Sequence, residues 1–184
     1  DEFDRNLLAF EPYVSVITGT DWDHPDIYPT RQGYEEAFTQ FVSQSQHTIL
    51  WQEDADKTKL QQGDDYTFVD ENDAGINKLP FPGIVNRKDA WQVAQAFAYI
   101  TGQQIAELLP HRALFPGVSR RFELLAPRLY TDCAHTPPKF RGTLETAEEI
   151  APDNVVVVYE GLHNTRQHFI KDDLQHLFDG VKQL

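Results

Sequence analysis

The segment Tyr13-Val14-Ser15-Val16-Ile17-Thr18 decides the fold class of this chain. It consists mainly of β-branched and aromatic residues and follows Pro12, so it predicts a largely buried strand. Thr30 predicts the N-cap of a helix after the intervening loop, and Thr48 to Trp51 predict a second strand. The apolar face of that helix has helical spacing and comprises Tyr34, Ala37, Phe38, Phe41 and Val42.

The middle of the chain predicts one edge strand and two helices. Tyr66 to Val69 fit an edge strand within an acidic stretch, residues 52–80, that is otherwise undetermined. Asn86 stands before a helix, and a shorter helix is expected over residues 104–109. The predicted apolar face of the longer helix comprises Ala90, Val93, Ala94, Phe97 and Ala98.

The second half of the chain alternates between strand and helix patterns. Leu129 to Thr131 predict a strand, and residues 137–150 predict a helix that opens with prolines. Residues 155–159 are typical of a central parallel strand buried on both faces, and residues 167–178 predict an amphipathic helix. This alternation indicates βαβ connections, and we therefore expect an α/β fold.

Composition excludes several classes of protein. Hydrophobic residues make up 40% and aromatic residues 12% of the 184 positions, which is enough for a packed core. The net charge is −13, and no basic cluster exceeds Arg120-Arg121, so neither nucleic-acid binding nor anionic lipid binding is expected. The longest apolar run, residues 155–159, is too short for membrane insertion. A single cysteine suits a cytoplasmic protein, and the absence of methionine predicts a piece of a longer chain.

Two candidate sites lie in the first part of the chain. The loop Asp21-Trp22-Asp23-His24 follows a strand, at the end where α/β proteins bind ligands. His24 beside carboxylates can ligate a divalent metal or can be held in an ion pair. Asn86 can offer an amide at a helix start, or it can be an ordinary cap.

Two further candidate sites lie in the second part. Arg120 and Arg121 can clamp phosphate or ribose, or can form surface salt bridges. Asp132-Cys133-Ala134-His135-Thr136-Pro137 joins a strand to a helix N-terminus, a junction that favours phosphate and metal chemistry. We interpret Cys133 as a small space-filling residue. No phosphate-cradling Gly-rich loop ending in Gly-Lys-Ser/Thr and no zinc-type Cys/His array occur in the sequence.

Taken in order, these segments resemble the Mur ligase family, and within it the alanine-adding branch. The resemblance spans nearly the whole chain and rests on residues 1–6, 23–28, 82–86, 117–123, 132–137 and 155–166. It implies that residues 1–116 correspond to the second half of the central ATP-binding domain, without its phosphate-binding loop. Residues 117–184 would correspond to the first half of the C-terminal Rossmann-like domain.

The resemblance also implies a reaction. Mur ligases of this branch use ATP and Mg²⁺ to join UDP-N-acetylmuramate to L-alanine through an acyl phosphate, in cytoplasmic peptidoglycan synthesis. Because the phosphate loop is absent from these 184 residues, the activity would belong to the intact parent protein and not to the chain alone. The alternatives are a ligase of the same family that recycles murein tripeptide, or a non-catalytic Mur-like module that binds nucleotide or protein.

Site residues follow from the same resemblance, position by position. It implies that His24 ligates a second magnesium ion, that Asn86 meets the adenine and that Arg121 meets the ribose. Asp132 would contact the ATP ribose or the hinge, and His135 the phosphates or the incoming amine. His163 and Arg166 would face the amino-acid pocket.

The chain departs from the family pattern at three positions. Val85 replaces a histidine, Asp89 replaces an asparagine, and Thr136 stands where many members carry a second histidine. The first two departures flank the expected adenine contact at Asn86.

Overall fold

The computed structural model describes residues 5–25, 27–108, 117–161 and 171–184. The chain divides into two compact units. The first comprises Asp1–Leu79 with Arg87–Pro110, and the second comprises Pro80–Asn86 with His111–Leu184.

The first unit is built on a three-stranded parallel sheet in the order β1-β2-β3. The strands are β1 (Val14–Ile17), β2 (His47–Trp51) and β3 (Tyr66–Val69). All three predicted strands are confirmed, and β3 lies at the edge as expected. β2 is buried along its full length because it pairs with a strand on each side. The three strands therefore end at a common edge of the sheet.

Four of the described helices belong wholly or in part to this unit. They are α1 (Arg31–Gln44), α2 (Gln52–Lys57), α3 (Ile84–Thr101) and α4 (Ile105–Leu108), with 3₁₀ turns at Asn6–Ala9 and Ile76–Lys78. The predicted cap of α1 is confirmed, since the Thr30 hydroxyl accepts a hydrogen bond from the Gly33 N–H at 3.1 Å. Helix α2 was not predicted, because its residues form part of the uniformly acidic stretch.

The core of the first unit lies between α1 and the sheet. Its buried centre consists of Ile17, Val42, Leu50 and Ala55. Five partly buried hydrophobic side chains pack against this centre: Phe38, Phe41, Leu60, Tyr66 and Phe68. The face predicted for α1 therefore points inward, and β1 and β2 contribute the opposing apolar residues.

Helix α3 differs from its prediction in both start and orientation. It begins at Ile84, so Asn86 is its third residue and not its cap. The buried residues are Trp91, Gln92 and Ala96, whereas Val93 is 61% and Phe97 47% exposed. The reason is a polar contact that apolar periodicity does not detect, because the Gln92 amide donates to the Ile17 carbonyl at 2.8 Å.

The second unit contains a hairpin and a long helix. Strands β4 (Glu123–Ala126) and β5 (Leu129–Thr131) pair antiparallel, and α5 spans Pro137–Ile150. β5 and α5 agree with the sequence prediction. β4 was not predicted, because Glu123-Leu124-Leu125-Ala126 contains no β-branched or aromatic residue.

The two last elements predicted from the sequence are only partly present. Val155 is buried, but Val158 is 97% exposed, so a strand buried on both faces is wrong. Within the described ranges, this run pairs through a single parallel bridge, Val156 with Gln183, and so lacks neighbours that would cover it. That bridge has the direction expected of a βαβ connection. The final helix, α6 (Lys171–Leu174), ends before the predicted Phe178, and residues 162–170 lie outside the described residues.

Every helix in the described part of the chain is too short or too polar to cross a membrane.

Candidate functional site

His24 lies in the loop that follows β1. Its backbone has a φ of 55°, a left-handed conformation uncommon for a residue with a side chain. The His24 N–H donates to Asp23 Oδ1 at 2.7 Å, and the His24 carbonyl accepts from Ile27 at 2.9 Å and Tyr28 at 2.8 Å. The imidazole Nε2 lies 3.7 Å from Asp23 Oδ2, and both side chains are largely buried. The loop is thus an ordered turn that presents an imidazole and a carboxylate together.

Asp23 and His24 can bind a metal ion only together with further ligands from outside this loop. No group of three or more His, Cys, Asp or Glu side chains is arranged to hold a metal within the described ranges. Mg²⁺ commonly takes one or two carboxylates from the protein and completes its shell with substrate phosphates and water. Asp23 supplies such a carboxylate next to His24. The distance between His24 Nε2 and Asp23 Oδ2 fits an ion pair. The metal role of His24 stays a prediction.

A buried carboxylate behind this loop was missed by sequence reasoning. Asp54 is 2% exposed, and its Oδ1 accepts from the Thr20 N–H at 3.0 Å and the Thr20 hydroxyl at 2.6 Å. Lys57 Nζ lies 3.6 Å from Asp54 Oδ1 and 3.4 Å from Asp21 Oδ1. Thr20 and Asp54 each stand three residues beyond the end of a strand, β1 and β2 respectively, which is the pattern that could have indicated their contact.

Electrostatics strengthen this cluster. Burial has the largest single effect on Lys57 and disfavours its charge, but the bond to Glu53 and the charges of Asp21 and Asp54 outweigh it and raise the pKa of Lys57 to about 12. The same hydrogen bond from Lys57 lowers the pKa of Glu53. The ammonium is therefore charged throughout the neutral range and balances the carboxylates around it.

Asp132 organises the candidate site of the second unit. Its Oδ2 accepts from the Phe122 N–H and its Oδ1 from the Ala134 N–H, both at 2.7 Å. The Cys133 N–H donates to the Arg120 carbonyl at 3.0 Å. The two segments that the sequence indicated separately are thereby brought together, with Arg121 exposed on the turn.

A second carboxylate shapes the same turn. Glu123 Oε2 accepts from the Arg120 N–H at 2.7 Å and from the Ser119 hydroxyl at 2.9 Å. The backbone bond first, and the hydroxyl bond second, lower the pKa of Glu123. Because these bonds fix the backbone on either side of it, Arg121 projects from an ordered turn.

His135 is held in one tautomer. Its Nδ1 lies 2.8 Å from the Cys133 carbonyl, which can only accept, so Nδ1 carries the proton. Lys139 Nζ lies 3.3 Å from the other ring nitrogen, Nε2. His135, two residues before α5, therefore lies next to the Lys139 ammonium group in the first turn of that helix, at a helix end that favours anions. Lys139 was missed by sequence reasoning, because His135 precedes the helix and their contact does not follow from helical spacing.

Cys133 does not fill space. The residue is exposed, and its contacts in this turn come from its backbone N–H and carbonyl. The interpretation of Cys133 as a packing residue is wrong because the turn is organised by the Asp132 carboxylate.

Asn86 lies in the second unit, on a segment packed against α5. Its Nδ2 donates to the Pro82 carbonyl at 2.8 Å. Gly83 has a φ of +80°, and a Cβ there would stand 2.0 Å from Thr146 Oγ1, so only glycine fits. His24 belongs to the other unit, and His163 and Arg166 lie outside the described residues. The structure thus brings together Arg121, Asp132 and His135, whose predicted roles stay predictions.

Comparison with known proteins gives a consistent result. No family model matches the chain. It is 27% identical to a UDP-N-acetylmuramate–L-alanine ligase of Chloroflexus aggregans, over 89% of this chain and 45% of that protein. It is also 27% identical to the ligase of the same name from Streptococcus agalactiae, over 96% of this chain and 46% of that protein. The chain therefore spans about half the length of the curated relatives that it matches.

A solved structure shares the fold. The crystal structure of a UDP-N-acetylmuramate-alanine ligase from Thermotoga maritima matches with a TM-score of 0.66 and 23% sequence identity. The match covers 98% of this chain and 51% of that protein. The α/β fold class is thus confirmed, and the chain is similar in sequence to UDP-N-acetylmuramate–L-alanine ligases along most of its length.

Proposed function

We propose that the chain is part of an ATP-dependent ligase that joins the carboxylate of UDP-N-acetylmuramate to the amine of L-alanine. The observation that carries this proposal is the arrangement around Asp132, which ties the turn bearing Arg121 to the junction bearing His135. The similarity to ligases of this name along 89% to 96% of the chain supports it. Residues 1–116 would belong to the central ATP-binding domain and residues 117–184 to the C-terminal domain.

The reaction would proceed in two steps. A carboxylate oxygen of UDP-N-acetylmuramate attacks the γ-phosphorus of ATP, the bond to ADP breaks, and an acyl phosphate forms. The neutral amine of L-alanine then attacks the acyl carbon, phosphate leaves, and the amine nitrogen loses a proton. Both steps need the phosphoryl charge neutralised and water kept away from the acyl phosphate.

We assign the nucleotide contacts to three residues. Arg121 is exposed on an ordered turn and would bind the ribose with its guanidinium. Asp132 would contact the ribose or hold the hinge, since both its oxygens accept backbone N–H groups. Asn86 would meet the adenine through its carbonyl oxygen, because its amide nitrogen donates to Pro82.

The phosphate-facing group would be His135 together with Lys139. The ammonium of Lys139 adds positive charge at the start of α5, where phosphate oxygens are favoured. His24 and Asp23 would hold a magnesium ion, which when bound neutralises phosphate charge. His163 and Arg166 would serve the amino-acid pocket. We assign the reaction to the cytoplasm and expect neither nucleic acid nor membrane as a partner.

Substrate-dependent phosphate release tests this proposal. The full-length protein that carries these residues is expected to release phosphate from ATP only when UDP-N-acetylmuramate and L-alanine are both present. Asp132→Asn is expected to lower kcat/KM for ATP by about 10-fold to 100-fold, since asparagine is uncharged and can accept only one of the two backbone hydrogen bonds. Asp153→Asn is the matched control, because Asp153 is exposed and lies outside the assigned contacts.

Other outcomes separate the alternatives. Nucleotide binding without phosphate release would favour the non-catalytic module. Release that needs murein tripeptide in place of L-alanine would favour the recycling ligase. The 184-residue chain alone is expected to show no ATP hydrolysis, because it contains no loop that cradles the phosphates.

A further inference from the structure

The loop from Thr20 to His24 is anchored by α2. Both hydrogen-bonding groups of Thr20 that face α2, its N–H and its hydroxyl, donate to the same oxygen, Asp54 Oδ1. Lys57 bridges the same two segments, because its Nζ reaches Asp21 in the loop and Asp54 in the helix. The loop is thus fixed at its first two residues by side chains of a single helix turn.

The remainder of the loop is fixed relative to this anchor. Asp23 caps the His24 N–H, and the Trp22 indole donates to the Tyr28 carbonyl at 2.9 Å. Two further N–H groups, those of Ile27 and Tyr28, donate to the His24 carbonyl. Only a short run of three residues separates Thr20 from His24, so the position of Thr20 determines where the imidazole stands.

The stability of the fold does not by itself explain why the charged residue Asp54 is buried in α2. Asp54 is 2% exposed, and the burial of a carboxylate is costly even when it is paired. Within the described residues, both hydrogen bonds that the Asp54 side chain accepts come from Thr20 of this loop. The carboxylate therefore acts on the loop that carries Asp23 and His24.

We propose that Asp54 is a positioning residue, which acts through Thr20 to hold the His24 imidazole and the Asp23 carboxylate in the orientation that binds a divalent cation. The inference rests on the proposed function for the metal role of His24. Partners that orient metal ligands affect metal affinity strongly, by about 10-fold to 100-fold. Asp54 itself does not touch the cation in this proposal.

The test uses the full-length protein that carries these residues and two readouts. Backbone amide signals of Asp23 and His24 are followed by NMR while Mn²⁺ is added, and broadening reports binding at the loop. Hydrogen exchange of the Ile27 and Tyr28 amides, which donate to His24, reports the order of the loop without any metal. Global stability is measured separately for every variant.

Four variants give the expected pattern. Asp54→Ala and Thr20→Val are expected to weaken Mn²⁺ binding at His24 by about tenfold or more and to speed exchange of both amides. Thr20→Ser keeps the hydroxyl and is expected to restore wild-type behaviour. Asp56→Ala is the matched control, since Asp56 is exposed on the same helix and its side chain accepts a hydrogen bond from Gln52 one turn earlier. Thr20→Val keeps the test valid if Asp54→Ala does not fold.

The outcomes distinguish the positioning role of Asp54 from the metal-binding role of His24. Unchanged Mn²⁺ affinity and unchanged exchange in a folded Asp54→Ala or Thr20→Val chain would overturn the positioning role. If the wild-type chain shows no broadening at His24, the assignment of His24 as a metal ligand fails. Faster amide exchange in Asp54→Ala would in that case still support the role of Asp54 in positioning the loop.

Discussion

Gly75 lies against the indole of Trp91, a residue only 6% exposed. A Cβ atom at position 75 would stand 2.1 Å from Trp91 Cη2, a distance that no packing adjustment of a buried ring absorbs easily. We expect Gly75→Ala to lower the free energy of unfolding by about 1 to 3 kcal/mol through overpacking. Urea unfolding measures this change.

Gly19→Ala is the matched control for that substitution. A Cβ at Gly19 would meet no atom within 4 Å, so its effect on stability should be small. Equal effects of the two substitutions would contradict the close contact between Gly75 and Trp91.

His47 gives stability a pH dependence of known sign. Its ring stacks on Tyr99 with centroids 3.8 Å apart, and its Nε2 bonds the Thr67 hydroxyl at 2.9 Å. Burial lowers the pKa of His47 below its usual 6.5, although Asp65 opposes the shift. The unfolded chain therefore binds this proton at a higher pH than the folded chain, and the contribution to stability is present above pH 6.5 and lost as pH falls below it.

We accordingly expect the free energy of unfolding to fall between pH 7.5 and pH 5.5, by at most about 1.4 kcal/mol per pH unit for this one proton. His47→Gln should flatten this part of the profile. His176→Gln is the control, because His176 is 82% exposed and should leave the slope unchanged. A His47→Gln profile parallel to that of the wild type would refute the assignment.

Helix α1 illustrates what a single cap contributes to an element. The Thr30 hydroxyl satisfies the Gly33 N–H, which would otherwise lack a partner at the start of the helix. Thr30→Ala is expected to lower the free energy of unfolding by about 1 kcal/mol. Thermal unfolding followed by circular dichroism measures this.

Thr39→Ala is the control on the same helix. Its hydroxyl bonds the Glu35 carbonyl on an exposed face, and alanine is the better helix former, so stability should stay the same or rise slightly. A Thr39→Ala chain that is less stable than Thr30→Ala would show that the cap is not what stabilises the start of α1.

Elements with a strong local pattern were predictable from the sequence. β1 and α1 combine the expected residue types with clear boundaries, and the prolines at the start of α5 set its first turn. The orientation of α3 was not predictable, because Gln92 occupies a buried position through a hydrogen bond to β1. The predicted burial of Val158 is wrong for a different reason, since a β-branched run is buried only where neighbouring strands and helices cover it.

The candidate site follows the same division. Residues within recognisable segments, such as Asp132 and His135, were found from the sequence. Asp54 was not, because one buried carboxylate cannot be distinguished by composition from the acidic residues around it. Lys139 was missed because its contact with His135 depends on the rotamer at the start of α5.

At the scale of the whole molecule, both units expose apolar side chains. Val93, Phe97 and Ile100 are exposed on α3, and Leu124, Leu125 and Leu129 are exposed on the hairpin. Such patches usually mark surfaces that another segment or protein covers. They accord with a chain that spans about half the length of its curated relatives.

The identity of the reaction product tests the central proposal most directly. The full-length protein that carries these residues is incubated with ATP, Mg²⁺, UDP-N-acetylmuramate and L-alanine. The products are then separated, and their masses are measured by mass spectrometry. The account predicts UDP-N-acetylmuramoyl-L-alanine together with equal amounts of ADP and phosphate. Active-site integrity is checked by nucleotide binding, and a folded, nucleotide-binding protein that forms no amide product would contradict the account.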